Sequence, residues 1–392
     1  MNLLTQSKAN PLKIKSMKFV VSSTELLSHL TVVSRVISSK NTLPILDNFL
    51  FKLKGNDLEI TASDLETTLT TRIQLENVTD GGDIAIPFRI LVDTLKEFPE
   101  QPLTFDINLD TLAIAVSTET GQFNIVGQPA EDFPAANEVK EETKTSMKIT
   151  AEALTNGISK TLFATAEDEM RPVMCGILFE FSPECLTFVA SDAHKLVRYR
   201  RMDVKGDGDK SFILPKKPAS LLKNVLPRET GNVLIEFDDK NALFTMANYT
   251  LICRLVEGAY PNYNSVIPTD NPNVMTIDRV DFYNSLRRVS PFTNQASNLV
   301  KLSLTGNQLM ISAQDLDFSI SAYERLRSQY EGEEMEIGFK SVFLIEILSN
   351  ISSTDVSMSL SDPSRAGLLF PALNENENEE VLMLIMPMMV GE

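Results

Sequence analysis

The sequence contains no tryptophan, only two histidines and only three cysteines in 392 residues. Cys175, Cys185 and Cys253 have neither the even number of a disulfide framework nor the paired spacing of a zinc site, which fits a reducing cytoplasm. His29 and His194 belong to no metal-spaced cluster, and neither a glycine-rich phosphate loop nor a nucleophile elbow is present. No apolar run reaches the ~18–20 residues of a membrane span, so a soluble protein is expected. Positive charge is also scarce: 36 Lys and Arg stand against 53 Asp and Glu, a net charge of −17. An acidic body repels a duplex, which excludes indiscriminate nucleic-acid binding over the whole surface but not binding through a local basic face. Residues 1–16 carry Lys8, Lys13 and Lys15 but no apolar core of the kind a secretory signal needs, and are expected to form a mobile leader.

What is present is a long internal repeat. Residues 58–66 (LEITASDLE) recur as 186–194 (LTFVASDAH) and, more loosely, as 309–317 (LMISAQDLD). The aspartates Asp64, Asp192 and Asp315 lie 128 and 123 residues apart, a period that marks a duplicated domain and not a short solenoid unit. Two further landmarks keep the period. Extended runs open at Met17, Met147 and Met275, and a second shared block reads IAIPF at 84–88, FILPK at 212–216 and EIGFK at 336–340. The length therefore divides into three domains of a size that can bury a core: 17–143, 144–270 and 271–392, with charged or proline-rich joints at 138–145 and 268–272. Each repeat reads as a strand, a helix, several strands, a second helix and closing strands, an α+β domain of two helices and about eight strands. The polar run at 374–380 (NENENEE) reads as a solvated loop before an apolar closing strand and tail at 381–390.

The helices carry the missing positive charge. In the first helix Leu26, Leu30, Val33 and Ile37 form one apolar stripe with Arg35 nearly opposite. Leu154, Ile158 and Leu162 form the stripe in the second repeat with Lys160 turned away, and Phe282, Leu286 and Val289 in the third with Arg287 and Arg288 outward. The second helices place Arg89 and Lys96, then Lys216, Lys217 and Lys223, then Lys340, outside their apolar faces. Across the windows 24–40, 87–98, 150–164, 215–228, 279–291 and 339–350 thirteen Lys or Arg face six Asp or Glu. Lysine-rich helix faces are commonly just solvated, but six sharing the bias within so acidic a chain point to a basic working surface.

The recurring aspartates, with Glu66, His194 and Asp317 nearby, invite a catalytic or metal reading. Copies of one position in three domains would lie far apart, whereas metal and acid-base chemistry needs groups within a few ångströms. An Asp just after a strand is a common turn residue, its side chain bonding neighbouring amides. No catalytic residue, metal site or cofactor is assigned, and a binding or architectural protein is expected.

The chain closely resembles the beta subunit of bacterial DNA polymerase III, the replicative sliding clamp family. The resemblance rests on Met17-Lys18-Phe19, Thr42-Leu43-Pro44-Ile45-Leu46, residues 190–196 (ASDAHKL), Pro261-Asn262-Tyr263, residues 334–339 (EMEIGF) and the ending Met386-Pro387-Met388, and it covers residues 17–390. It implies a head-to-tail homodimer closing into a ring of six similar domains whose helices line a central hole. Arg35, Lys40, Arg89, Lys96, Lys160, Lys216, Lys217, Lys223, Arg287, Arg288 and Lys340 would then face duplex DNA without reading its sequence. Lys40 stands where relatives carry Arg, keeping the charge and losing the bidentate fork.

The resemblance also implies a hydrophobic cleft on the second and third domains for short motifs of the polymerase III catalytic subunit, the clamp loader, other polymerases and repair proteins. By position its wall comprises Met174, Ser191, Ala193, His194, Lys195, Leu196, Pro261, Val266, Ser364, Ala366, Leu384, Ile385, Met386, Pro387, Met388, Met389 and Val390. Ser265 and the Met389-Val390 ending replace basic and Arg-Leu residues of many relatives, which bears on motif preference. Phe292 lies where the family packs the third domain on its neighbour's first. Such a chain is cytoplasmic and not an enzyme, nucleotidyl transfer belonging to its polymerase partner. Two rivals remain at this point. A metal-dependent nuclease or phosphatase using Asp64, Asp192 or Asp315 would show metal binding and activity; a monomeric peptide-binding scaffold would be indifferent to loss of the basic helix residues.

Overall fold

The computed structural model describes residues 15–374 and 376–390. The leader expected over 1–16 lies outside the described residues as far as position 14. Lys15 and Ser16 belong to the fold: the Lys15 carbonyl accepts from the Leu109 amide at 2.9 Å, and Ser16 opens the first strand.

Each repeat begins with a strand that runs straight into a capped helix. In the first, β1 (Ser16–Ser22) leads into α1 (Ser23–Val33), followed by β2 (Asn48–Lys54), β3 (Asp57–Ser63), β4 (Thr67–Gln74), β5 (Val78–Asp80), β6 (Gly82–Pro87), α2 (Phe88–Lys96), β7 (Pro102–Asn108), β8 (Ala113–Ser117) and β9 (Gln122–Val126). The second comprises β10 (Thr145–Thr150), α3 (Ala151–Thr161), β11 (Gly176–Phe181), β12 (Leu186–Ser191), β13 (Lys195–Arg201), β14 (Lys210–Pro215), α4 (Lys216–Val225), β15 (Asn232–Phe237), β16 (Asn241–Thr245) and β17 (Tyr249–Arg254). The third comprises β18 (Asn273–Asp278), α5 (Arg279–Val289), β19 (Leu299–Thr305), β20 (Gln308–Asp315), β21 (Ile320–Arg327), β22 (Gln329–Glu331), β23 (Met335–Lys340), α6 (Ser341–Ser349), β24 (Asp355–Leu360), β25 (Gly367–Pro371) and β26 (Glu379–Ile385).

The caps recur with the repeat. Side chains of Ser22, Thr150 and Asp278 accept from the amides of Glu25, Ala153 and Asp281 at 3.5, 3.2 and 2.8 Å. Each satisfies one of the donors a helix start leaves unpaired. The apolar stripes are buried as their spacing requires: Leu26, Leu30 and Val33; Leu154, Ile158 and Leu162; Phe282, Leu286 and Val289. The first stripe ends sooner than its pattern suggests. α1 stops at Val33, a 3₁₀ turn covers Ser34–Val36, and Val36, not Ile37, is fully buried because Ile37 has already turned to extended backbone.

In space the three repeats form two compact units, residues up to Ser146 with Val233–Arg254, and Met147–Asn232 with Leu255 onwards. Sheets cross the repeat boundaries. In the first unit Tyr249–Cys253 pairs antiparallel with Thr67–Thr71, so strands run β15–β16–β17–β4–β3–β2–β6, and a second sheet runs β5–β1–β7–β8–β9. In the second unit Lys195–Arg201 pairs with Glu379–Ile385, giving a nine-stranded sheet β14–β11–β12–β13–β26–β25–β24–β18–β22 beside a four-stranded sheet β21–β20–β19–β23.

That crossing corrects one expectation. Residues 374–380 are not loop throughout: Glu379 and Glu380 begin β26, and Glu379 is buried. Arginines on β13 make this possible. Arg201 contacts Glu379 at 3.4 Å and Asp203 through two nitrogens at 2.8 Å, while Arg198 and Arg200 reach Glu380 at 2.6 and 3.4 Å. A buried carboxylate persists only when so paired.

Candidate partner-binding cleft and basic helix faces

The repeated aspartates are turn residues. Asp64 Oδ1 accepts from the amides of Glu66 and Thr67 at 3.0 and 2.7 Å, Asp192 Oδ1 from those of His194 and Lys195, both at 2.9 Å, and Asp315 Oδ1 from those of Asp317 and Phe318 at 2.9 and 3.4 Å. Each carboxylate thus serves the chain reversal after its strand. Among the described residues no group of three or more His, Cys, Asp and Glu gathers as a metal site would require.

In the second repeat this turn contacts the chain ending. Ala193 is held at φ +75°, a left-handed conformation unusual for a residue with a Cβ, and is exposed, as is His194, whose ring stacks on Phe343 with centroids 5.7 Å apart. The His194 carbonyl accepts from the Met386 amide at 2.9 Å, which ties the turn to the chain ending. Beyond it the Met388 amide donates to the Gly338 carbonyl at 2.8 Å, laying the tail along the edge of β23. Beneath runs an apolar cluster of Leu178, Val189, Leu196, Ile213, Tyr263, Ala366, Leu368, Leu382 and Leu384, with Val173, Val256, Tyr260, Ile267 and Phe370 packed against it.

Of the cleft residues expected from sequence, Leu196, Ala366 and Leu384 belong to this buried cluster; Met174, Ser191 and Ile385 are also buried, Ile385 opposite Lys195 on the other face of the sheet. Pro261, Val266, Ser364, Met386 and Met389 are exposed, and Pro387, Met388 and Val390 half-buried. The terminal methionines therefore do not merely finish the core: Met389 is 84% exposed. Lys195 departs from its expected place. Its ammonium is buried between Asp192 at 2.7 Å and Glu346 of α6 at 3.0 Å, lying 4.4 Å from the Phe343 ring centre. Burial works against the charge, but the hydrogen bonds to the two carboxylates outweigh it and hold the pKa above the ordinary lysine value. The side chain ties the turn to α6. Tyr263 and Tyr260, which flank the expected Pro261, were not among the residues expected at the cleft; Tyr263 belongs to this cluster and Tyr260 packs against it.

The basic residues divide into outward and engaged groups. Arg35, Lys40, Arg89, Lys96, Lys217, Lys223, Arg287 and Arg288 are exposed, while Lys160, Lys216 and Lys340 are half-buried. Lys40 lies in a turn after the 3₁₀ segment and Lys340 ends β23 just ahead of α6, so neither is helical as the charge windows assumed. Lys96 pairs with Asp93 at 3.0 Å and Lys216 with Glu167 at 2.9 Å. Arg288 bonds Glu324 on β21 through two nitrogens at 2.6 and 2.7 Å, a bidentate pair that turns it towards the sheet.

Two sheet edges carry exposed apolar side chains that the sequence did not single out. β9 ends the five-stranded sheet of the first unit with Phe123 and Val126 exposed. β21 ends the four-stranded sheet of the second with Ile320 and Tyr323 exposed, near Leu316 and Phe318 in its preceding turn, and Phe292 is 37% exposed. Unpaired edges of this kind are templates for another strand.

Family models for the N-terminal, central and C-terminal domains of the DNA polymerase III beta subunit match residues 17–137, 148–262 and 264–389. The chain belongs to the DNA polymerase III beta subunit family. It is a replicative sliding clamp, a processivity factor and not a member of a catalytic family. The beta sliding clamp of Pseudomonas putida is 29% identical over 373 residues, 95% of this chain and 100% of the relative; that of Proteus mirabilis is 30% identical over 349 residues, 88% and 94%. Among solved structures, the DnaN sliding clamp of Pseudomonas aeruginosa bound to griselimycin matches with a TM-score of 0.90 at 27% identity, covering 96% of this chain and 100% of the other. That of Bartonella birtlesii, also bound to griselimycin, gives 0.88 at 28%, with 96% and 100% covered. Among the described residues no helix is long and apolar enough to cross a membrane.

Proposed function

We propose that two copies of this chain join head to tail into a closed ring around duplex DNA. The observation that carries this is the pair of unlike open edges: β9 with Phe123 and Val126, and β21 with Ile320 and Tyr323. Contact between unlike surfaces repeats around an axis and closes when the rotation permits. Phe292 packs at the same joint, and aromatic anchors of this kind carry much of an interface's energy.

Arg35, Lys40, Arg89, Lys96, Lys160, Lys216, Lys217, Lys223, Arg287 and Lys340 face the phosphates, with Arg288 contributing mainly through its pair with Glu324. The contacts are sequence-independent and salt-sensitive, as sliding requires. Retention is topological, so each contact can be weak. The acidic remainder of the surface keeps DNA from adhering elsewhere.

The cleft around His194, Leu196, Leu384 and Met386 takes short linear motifs of the polymerase III catalytic subunit, the clamp loader, other polymerases and repair proteins, one at a time. Exposed methionines suit a surface that repacks for several partners. Ser265 and Met389-Val390 give it less positive charge than many relatives, favouring less acidic motifs. Nucleotidyl transfer is the polymerase partner's, and the protein works in the cytoplasm on the nucleoid. Griselimycin, bound by two solved relatives, is expected to occupy this cleft.

The experiment is retention after loading. Protein placed on circular DNA by its clamp loader should stay bound through a high-salt gel-filtration step and be lost when the circle is cut once. Equal retention on cut and uncut DNA, or a monomeric solution mass, would overturn the ring.

A further inference from the structure

The first unit contains a groove of about 850 Å³ that no role yet described uses. Leu50, Thr61 and Thr70 on its floor are cross-strand neighbours, Leu50 opposite Thr61 and Thr61 opposite Thr70. Leu178, Val189 and Arg198 stand in the same register 128 residues later, and Ser63 opposite Thr68 matches Ser191 opposite Leu196. One wall is Phe133-Pro134, which precedes Tyr260-Pro261 by 127 residues. The groove is therefore the first repeat's copy of the face that forms the cleft in the second.

Its chemistry has changed. Thr61 and Thr68 replace Val189 and Leu196, and the hydroxyls pair as Thr61 with Thr70 and Ser63 with Thr68, both at 2.9 Å. A hydroxyl so paired can still accept a further hydrogen bond. Leu50 and Phe133, buried with Ile45, Leu46 and Ala85, keep an apolar floor, while the rim is acidic: Asp83, Asp110 and Glu131 are exposed, against Lys15 and Lys52. Glu59, also lining the groove, is engaged by Arg72 at 3.3 Å.

We propose that this groove is a second linear-peptide site, taking an extended partner segment in which a Lys or Arg flanks an apolar side chain. The apolar residue meets Leu50 and Phe133, a main-chain amide of the peptide meets the part-buried Thr61–Thr70 hydroxyl pair, and the cation meets Asp83 and Glu131. Binding of this kind would let the clamp hold a basic motif while the cleft holds another partner. The reasoning rests on the cleft reading, since equivalence to that cleft argues for a peptide.

The test uses the full chain and a fluorescein-labelled octapeptide alternating lysine and leucine, followed by anisotropy, with a glutamate-leucine octapeptide as comparison. Binding of the basic peptide should persist under saturating griselimycin. It should weaken about fivefold in the double substitution Asp83→Asn with Glu131→Gln, and stay unchanged in Asp207→Asn with Asp209→Asn, which removes equal charge from an exposed loop of the second unit. Displacement by griselimycin, equal loss in both double variants, or equal binding of the acidic peptide would overturn the proposal. Calorimetry of griselimycin alone tests the cleft reading separately: its failure to bind would sink that reading, while the two double variants still decide the groove.

Discussion

Replacing Gly338 by alanine should disable the partner cleft without unfolding the chain. A Cβ built on Gly338 would lie 2.7 Å from the Met388 carbonyl oxygen, 2.8 Å from Leu299 Cδ1 and 2.9 Å from Val390 Cγ2. The two methyl groups can rotate aside. The Met388 oxygen is backbone, and ordinary contact begins near 3.4 Å, so the tail must retreat by several tenths of an ångström. That strains or breaks the 2.8 Å bond from the Met388 amide to the Gly338 carbonyl. Overpacking of this kind costs about 1–3 kcal/mol, and loss of a main-chain hydrogen bond about 0.5–1.5 kcal/mol.

The cost falls on the seating of Met386, Pro387, Met388 and Val390, because Leu384 and Ile385 remain held in β26 by pairing with β13 and β25. An unseated tail reduces the fraction of molecules competent to bind, and apparent affinity falls by that fraction. Griselimycin titrated calorimetrically into Gly338→Ala should therefore bind at least about tenfold more weakly, while circular dichroism keeps its native form. Gly208→Ala, whose added Cβ would meet nothing within 4 Å, is the neutral comparison. Unchanged griselimycin affinity in Gly338→Ala would refute the reasoning, showing either that the tail adapts or that it is no part of the cleft.

Four further outcomes follow from particular contacts. Arg201→Met leaves the buried Glu379 without its cation, with the Asn156 amide at 3.2 Å still donating to it, and should cost about 3 kcal/mol in denaturant unfolding, most of it regained when Glu379→Gln is added. Asp238 accepts from the amides of Lys140, Lys240 and Asn241 at 2.8, 2.7 and 2.7 Å, bonds that outweigh its burial and hold its pKa below the ordinary value. A depressed carboxylate stabilises the fold above its unfolded pKa of about 3.9 and ceases to as pH falls through the lower folded value; Asp238→Asn should thus be less stable than the parent at pH 7, and the gap should close below about pH 4. Lys223→Gln with Arg287→Gln should lower the slope of DNA affinity against salt by about 0.9 for each phosphate contact removed, leaving griselimycin binding unchanged. Phe292→Ala should weaken the dimer by about 2 kcal/mol in sedimentation equilibrium, and an unchanged dissociation constant would move the joint elsewhere.

Much of this fold was legible because its signals are local and repeated. Ser22, Thr150 and Asp278 stand 128 residues apart and cap the same helix in each copy, and the stripes they introduce are buried in all three. The Asx turns at Asp64, Asp192 and Asp315 could be assigned from position after a strand alone. What escaped depended on contacts distant in sequence. The run at 374–380 is self-repelling by composition, and only the arginines of β13, about 180 residues away, allow Glu379 and Glu380 to enter a sheet. Lys195 looked like a cleft residue by its place in the motif, yet Glu346 and Phe343 of α6 draw it away. Periodicity also marks which face of a helix is buried better than where the helix stops, which is why Ile37, Lys40 and Lys340 were assigned to helices they do not occupy.

The same turn, built three times, shows how a repeat acquires different work without changing its frame. After each of the first two aspartates one residue takes positive φ, Leu65 at +78° and Ala193 at +75°, and the chain returns along the neighbouring strand. In the third copy the positive φ has moved to Ser319 at +53°, leaving Leu316 and Phe318 exposed beside β21. In the second, the carbonyl after Ala193 receives the Met386 amide, so the chain ending packs on the turn. In the first, the Leu65 carbonyl receives the Asn137 side chain from the linker at 3.0 Å, and the groove beneath keeps threonines where the second has valine and leucine. The first two copies share one turn geometry and differ in the segment that comes to pack on it, the chain ending in one and Asn137 in the other.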